Sequence, residues 1–143
     1  MIITDSKNNK LAFKFSALNA KQGLEFLSPE SDFLQLGTWR YGAGKTLLAH
    51  THNIVPREIN RTQECALVIK GSMNARIYDE DAQLVTTVRV NALEGVVLLA
   101  GGHGYDILEE DTIVVEVKNG PYPGAEIDRR RIEGNASPQK AAA

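Results

Sequence analysis

Apolar residues along this chain come in short bursts rather than in long periodic stretches. Segments rich in Val, Ile, Leu, Thr and aromatic residues cover positions 11–15, 33–41, 46–50, 64–70, 73–78, 84–90, 96–100 and 112–118, with Gly, Asn, Asp and Pro between them. That rhythm predicts many short strands. The polar run Asp79-Glu80-Asp81-Ala82-Gln83 reads as a turn that folds segment 73–78 back on 84–90 as an antiparallel hairpin. Only 19–26 hints at a helix, and Gly23 interrupts it.

Strand alternation at 64–70 places Glu64, Ala66 and Val68 on one face and Cys65, Leu67 and Ile69 on the other. A strand that is apolar on both faces is covered twice. A closed barrel or two-sheet jelly roll, with another sheet, a terminal segment or a second subunit on its outer face, meets that need. The expected fold is therefore all-β, an antiparallel jelly-roll β-barrel. With 143 residues the chain is expected to form one domain over 1–133, including an N-terminal extension. The small, polar, alanine-ended stretch 134–143 is expected to be a disordered tail.

Charge narrows the partners. The 16 Lys and Arg against 18 Asp and Glu leave a formal net charge of −2, whereas a nucleic-acid binder normally carries a concentrated basic stripe. The single basic cluster, Arg129 to Arg131, lies between Asp128 and Glu133 and reads as solvated surface. Cys65 is the only cysteine, so no intrachain disulfide forms and a reducing compartment fits. Positions 1–10 lack a signal-peptide core, and the apolar runs are too short to span a bilayer. A cytoplasmic protein with no membrane or nucleic-acid partner is expected.

The candidate chemistry rests on three histidines and one carboxylate. His50 and His52 stand two apart at the end of a predicted strand, so both leave the same face. Glu64 shares its face with Ala66 and Val68, where a carboxylate requires a cation or hydrogen-bond donors. His103 lies in Gly101-Gly102-His103-Gly104, where small residues allow close backbone approach. Any one histidine is more commonly a hydrogen-bonded or surface residue; together with Glu64 they form a candidate site for a divalent transition metal. Zinc, iron, manganese, nickel and copper all accept such a set, and an open position would take water or substrate.

These residues resemble the motifs of the cupin superfamily. Gly44, His50 and His52 match its Gly-x5-His-x-His opening, and Glu64 and Gly71 its Glu-x6-Gly close, with a lengthened loop at 53–63 between the halves. Gly95 and His103 match parts of the second motif, with Gly101 where the family has proline. The resemblance, to small stand-alone cupins of unassigned function, implies the fold and a metal held by His50, His52, Glu64 and His103. It does not imply a reaction, because one fold hosts many. The expected function is a metal-dependent enzyme acting on a small polar or acidic metabolite, sugar-derived ones included. The alternatives are a non-catalytic metabolite-binding or sensing cupin, and a metal-independent sugar epimerase or isomerase using a histidine and a tyrosine as base and acid.

The lengthened loop is expected to overhang the barrel mouth, where Arg57 and Arg61 are candidates for gripping a substrate carboxylate or phosphate. Tyr78 and Tyr105 are candidates for the barrel lining. Gly42-Ala43-Gly44-Lys45-Thr46 has the look of a phosphate loop but lacks the required first glycine, since Trp39 stands there. Cys65, on the face opposite Glu64, is expected to be a buried inert thiol. A homodimer is expected from the doubly apolar strand and from the habit of the family.

Overall fold

A computed structural model describes residues 1–132; the expected tail at 134–143 lies outside them. The strands are β1 (Ile2–Thr4), β2 (Lys10–Ser16), β3 (Gly23–Phe26), β4 (Gly37–Arg40), β5 (Glu64–Lys70), β6 (Ser72–Tyr78), β7 (Leu84–Asn91), β8 (Glu94–Leu98), β9 (Gly102–Ile107) and β10 (Ile113–Lys118). A 3-10 turn at Ala17–Asn19 and a short helix, α1 (Ala125–Asp128), complete the described elements. Every pairing is antiparallel, in a five-stranded sheet β1-β2-β8-β5-β10, a three-stranded sheet β7-β6-β9 and a two-stranded ribbon β3-β4. The all-β expectation holds, and among the described residues no sheet closes on itself into a barrel. Among the described residues no helix is long and apolar enough to cross a membrane.

The main core lies between the two larger sheets. Leu11, Ala12, Ala66, Val68, Val96 and Leu98 of the five-stranded sheet meet Met73, Ala75, Ile77, Val88 and Val90 of the three-stranded one, all buried. Burying each Leu, Ile, Val or Met among them contributes roughly 1.5–3 kcal/mol, which fixes register, because a slip by one residue would turn each apolar row outward. The hairpin expected around residue 79 forms as read. Asp79 Oδ1 accepts the N–H groups of Asp81 (3.0 Å) and Gln83 (2.8 Å), turning the chain between β6 and β7.

A second core lies on the outer face. Phe13, Cys65, Val97 and Leu99 pack there against Phe15, Leu27, Leu34 and Leu36. The outer cover expected for β5 is thus supplied at Cys65 by the chain itself, through the connection between β3 and β4. Polar side chains hold that connection in place: Ser28 Oγ accepts from Leu36 N at 2.8 Å, and Gln63 Oε1 accepts from Leu34 N at 3.0 Å. This packing explains why the strand expected at 33–41 shortens to Gly37–Arg40.

Two further differences have physical causes. The weak helix signal at 19–26 gives way to β3, where Gly23 at φ +96° ends any helical path and Leu24 pairs with Trp39. The strand expected at 46–50 does not form; residues 41–63 contain no strand, and a strand without a neighbour has no ladder to join. Strand β9 was not legible because its sequence, GHGYDI, has low strand propensity. Pairing with β6 from Met73↔Ile107 to Tyr78↔Gly102 overrides that propensity.

Ile77, fully buried at the centre of the three-stranded sheet, is expected to cost roughly 2–5 kcal/mol on Ile77→Ala. Leu18→Ala, at an exposed position, should stay within about 0.5 kcal/mol of the unaltered chain. Urea unfolding of both variants measures the contrast.

Candidate functional site

Alternation along β5 and β10 sets one side of the site. Glu64 faces inward with Ala66 and Val68, and the register places Lys118 opposite Glu64 and Glu116 opposite Ala66. The other side comes from β9. His103 stands opposite buried Ile77 and Tyr105 opposite buried Ala75, so both point from the three-stranded sheet toward the five-stranded one. Among the described residues β10 pairs only with β5 and β9 only with β6, so these polar groups gather beside the β10 and β9 ends of the two sheets.

Gly101 leads into β9 at φ +71°, and a Cβ there would run into the carbonyl oxygen of Tyr78. Only glycine makes this entry without strain, and it sets His103 two residues on. There His103 Nε2 lies 2.8 Å from Glu64 Oε1, with Glu64 only 7% exposed. The Tyr105 hydroxyl donates to the same oxygen at 3.4 Å, and its ring centroid is 5.4 Å from that of His103.

Burial alone would push the Glu64 carboxyl up. The hydrogen bond and charge of His103, the charge of Lys118 and the Tyr105 hydroxyl outweigh it and hold the group below the usual glutamate range. Tyr105 is driven the other way, by burial first and then by the negative charges of Glu64 and Glu116, so its phenol stays protonated. An ionised Glu64 only accepts, so the proton in its contact with His103 belongs to Nε2. In the neutral imidazole, Nδ1 is then the free acceptor, on a side chain 34% exposed.

The chain after β10 closes part of this edge. Lys118 Nζ sits 3.8 Å from Asp128, 3.9 Å from Glu116 and 4.5 Å over the Tyr122 ring. Thr62 Oγ1 donates to Asp128 at 2.8 Å. Beyond α1, the Ile132 side chain packs over Gly102 in β9, where a Cβ would come within 2.6 Å of it. Residues 119–132 therefore strap the β10 edge to β9 beside His103.

Of the residues expected in the site, Glu64 and His103 come together. His50 and His52 do not join them within this chain. They lie exposed on 41–63 as a separate pair, ring centroids 5.1 Å apart and edge-on. Among the described residues no group of three or more His, Cys, Asp or Glu side chains is placed to hold a metal ion. Glu64 Oε1 and His103 Nε2 are engaged with each other here, and the two other expected ligands lie apart from them. Arg57 bonds locally to the Val55 carbonyl at 3.3 Å, and Arg61 pairs with Glu80 at 3.4 Å, both ends exposed.

Tyr105 joins the site, whereas Tyr78 is buried in the core. Cys65 sits on the opposite face as expected, and burial pushes its thiol up to about 11. Glu116 and Lys118 were missed. Their signal was available in IVVEVK, where two charged residues share one face while Val115 and Val117 share the other. No protein-family model, curated protein or solved structure matches the chain.

Because the folded Glu64 pKa lies below its ordinary value of 4.5, its stabilising contribution is complete above that value. It is lost as pH falls through the lower, folded one. The unaltered chain is therefore expected to lose more stability than Glu64→Gln between about pH 5 and pH 3, as measured by urea unfolding at each pH. Parallel curves would mean that Glu64 gains nothing from its partners.

Proposed function

We propose that the chain is a cupin-like protein of jelly-roll type that moves a proton on a small polar or acidic metabolite, sugar-derived ones included. The observation that carries this reading is the 2.8 Å contact of His103 Nε2 with Glu64 Oε1, with the protonated Tyr105 phenol on the same oxygen. An imidazole held by a buried carboxylate is a general base whose cation is stabilised as it forms.

In this reading His103 Nδ1 takes a proton from a carbon next to a carbonyl. The electron pair of the broken C–H bond moves onto the carbonyl oxygen, giving an enolate. The Tyr105 hydroxyl is the neighbouring donor for that oxygen. Glu64 balances the imidazolium, and returning the proton to the opposite face of the same carbon gives epimerisation. Where that carbon carries a hydroxyl, the hydroxyl proton passes to the enolate oxygen, the hydroxyl oxygen becomes the new carbonyl, and return of the first proton to the former carbonyl carbon gives isomerisation. Lys118 adds positive charge beside Glu64 but is itself matched by Glu116 and Asp128, so a substrate carboxylate or phosphate would need a further cation. Arg57 and Arg61 remain the candidates for that role.

A second reading is favoured by the His50–His52 pair, whose rings lie 5.1 Å apart on the stretch leading into β5. It makes the protein a metal-dependent cupin enzyme or a metabolite sensor in which both imidazoles join Glu64 and His103 on a divalent transition metal. That requires the stretch to be placed differently from its position in the single chain.

Deuterium uptake distinguishes the readings. In D2O, with a panel of keto-sugars and 2-oxo acids, the protein is expected to catalyse C–H exchange on at least one compound, with or without a chelator. His103→Ala should lower that rate by about 100-fold or more. Exchange that survives His103→Ala contradicts the proton-transfer reading. Exchange abolished by chelation, with about one transition metal per chain by elemental analysis and loss of that metal in His50→Ala, replaces it with the second.

A further inference from the structure

The outer face of the five-stranded sheet is covered unevenly. The connection between β3 and β4 lays Leu27, Leu34 and Leu36 over Phe13, Cys65, Val97 and Leu99. Ile2 of β1 stands opposite Phe13 and so shares its face, yet it remains 62% exposed. The Phe15 ring leans away from β1, over Gly95 of β8, where a Cβ would come within 2.5 Å of it. A cleft of about 520 Å³ is left over β1 and β2, bounded on the covering side by Leu27, Ser28 and Pro29.

Its size is that of a small-molecule site, which typically encloses about 300–1,000 Å³. Phe13, Phe15, Leu27 and Leu99 make its lining largely apolar. Charge is one-sided, since Lys10 and Lys14 line the cleft and no carboxylate does. Lys14 Nζ is already matched, 2.6 Å from Glu94 Oε2. Lys10 has no ion-pair partner among the described residues. Ser28, only 6% exposed, accepts from Leu36 N at 2.8 Å, and its own hydroxyl proton has no acceptor among the described residues. The lining side chains left unmatched are thus donors, one of them cationic. Their complement is an anionic acceptor on an apolar body.

We propose that this cleft binds an amphipathic monocarboxylate, its alkyl chain on Phe13, Phe15, Leu27 and Leu99 and its carboxylate on Lys10. Strand β2 sets the reach of the ligand, because Lys10 and Phe15 lie about 17 Å apart along it. An alkylammonium of the same length meets the wrong charge, and a free sugar offers nothing to the apolar lining. The cleft is separate from the Glu64–His103 pair. Phe13 and Cys65 belong to the outer face of the sheet, whereas Glu64 shares the inner face with Leu98. The proposal therefore stands or falls independently of the proton-transfer reading.

Three amphiphiles with the same tail test it: decanoate, decanol and decyltrimethylammonium, each titrated into the isotope-labelled full chain below its micelle-forming concentration and followed by NMR. Decanoate is expected to bind saturably, with the largest shifts at Phe13, Phe15, Leu27 and Leu99, and about tenfold more tightly than the other two. Lys10 is exposed at the start of β2, so its replacement leaves the core untouched. Lys10→Gln should lower decanoate affinity about tenfold, and Lys10→Glu should make decyltrimethylammonium the preferred ligand.

Absence of saturable decanoate binding overturns the proposal. Equal affinity for all three compounds, unmoved by Lys10→Gln, would show unselective adsorption to apolar surface and overturns it as well. Shifts centred on His103 and Tyr105 would place the carboxylate at the other site. That result overturns the cleft and leaves the proton-transfer reading standing.

Discussion

A carboxylate on the inner face of a β-sheet must be matched by donors or cations, and most of what is distinctive here follows from how Glu64 is matched. The residue sits where β5 begins, opposite Lys118 of β10, with apolar Ala66 and Val68 continuing its face. Left unpaired it would cost several kcal/mol, or else take up a proton. It is instead matched from the other sheet by His103 and Tyr105. The polar contact across the sheets is thus also a structural tie between β5, one strand in from the β10 edge, and β9, the edge strand of the other sheet.

That tie sets up opposing effects on three groups. The carboxyl is held ionised by its neighbours despite burial, while the phenol is held protonated by burial and by the same carboxylate. Between them the imidazole is fixed by Nε2 and keeps Nδ1 open. Groups whose environments push their proton affinities apart are the usual basis of acid–base chemistry near neutral pH. The strap of residues 119–132, latched through Lys118, Asp128 and Thr62 and packed over Gly102 by Ile132, flanks the pair without covering His103 fully.

The legible part of this architecture was the part written in local pattern. Residues 64–70, 73–78 and 84–90 read as strands because their apolar residues alternate or run continuously, and the Asp79 turn reads from its own chemistry. The inward placement of Glu64 and the opposite placement of Cys65 followed from period two alone. What local pattern could not carry was pairing. β9 is a strand because β6 lies beside it, and residues 46–50 are not, because no strand of the same chain does. His103 could be singled out as a candidate, yet its partner Tyr105 came into the site only through the register of β9 on β6. Glu116 and Lys118 were visible as two charges on one face of β10, but nothing local said that this face looks inward. The separation of His50 and His52 from the other pair is the largest difference, and it concerns where an unpaired stretch lies rather than the character of any residue.

The central claim is that buried, ionised Glu64 fixes the His103 imidazole through Nε2, leaving Nδ1 as the acceptor. Nitrogen-15 NMR of the histidine side chains, at a pH where His103 is neutral, tests it directly. The account predicts that His103 carries its proton on Nε2 in the unaltered chain and that this preference weakens in Glu64→Gln. A proton on Nδ1, or a His103 spectrum indifferent to Glu64→Gln, would contradict it.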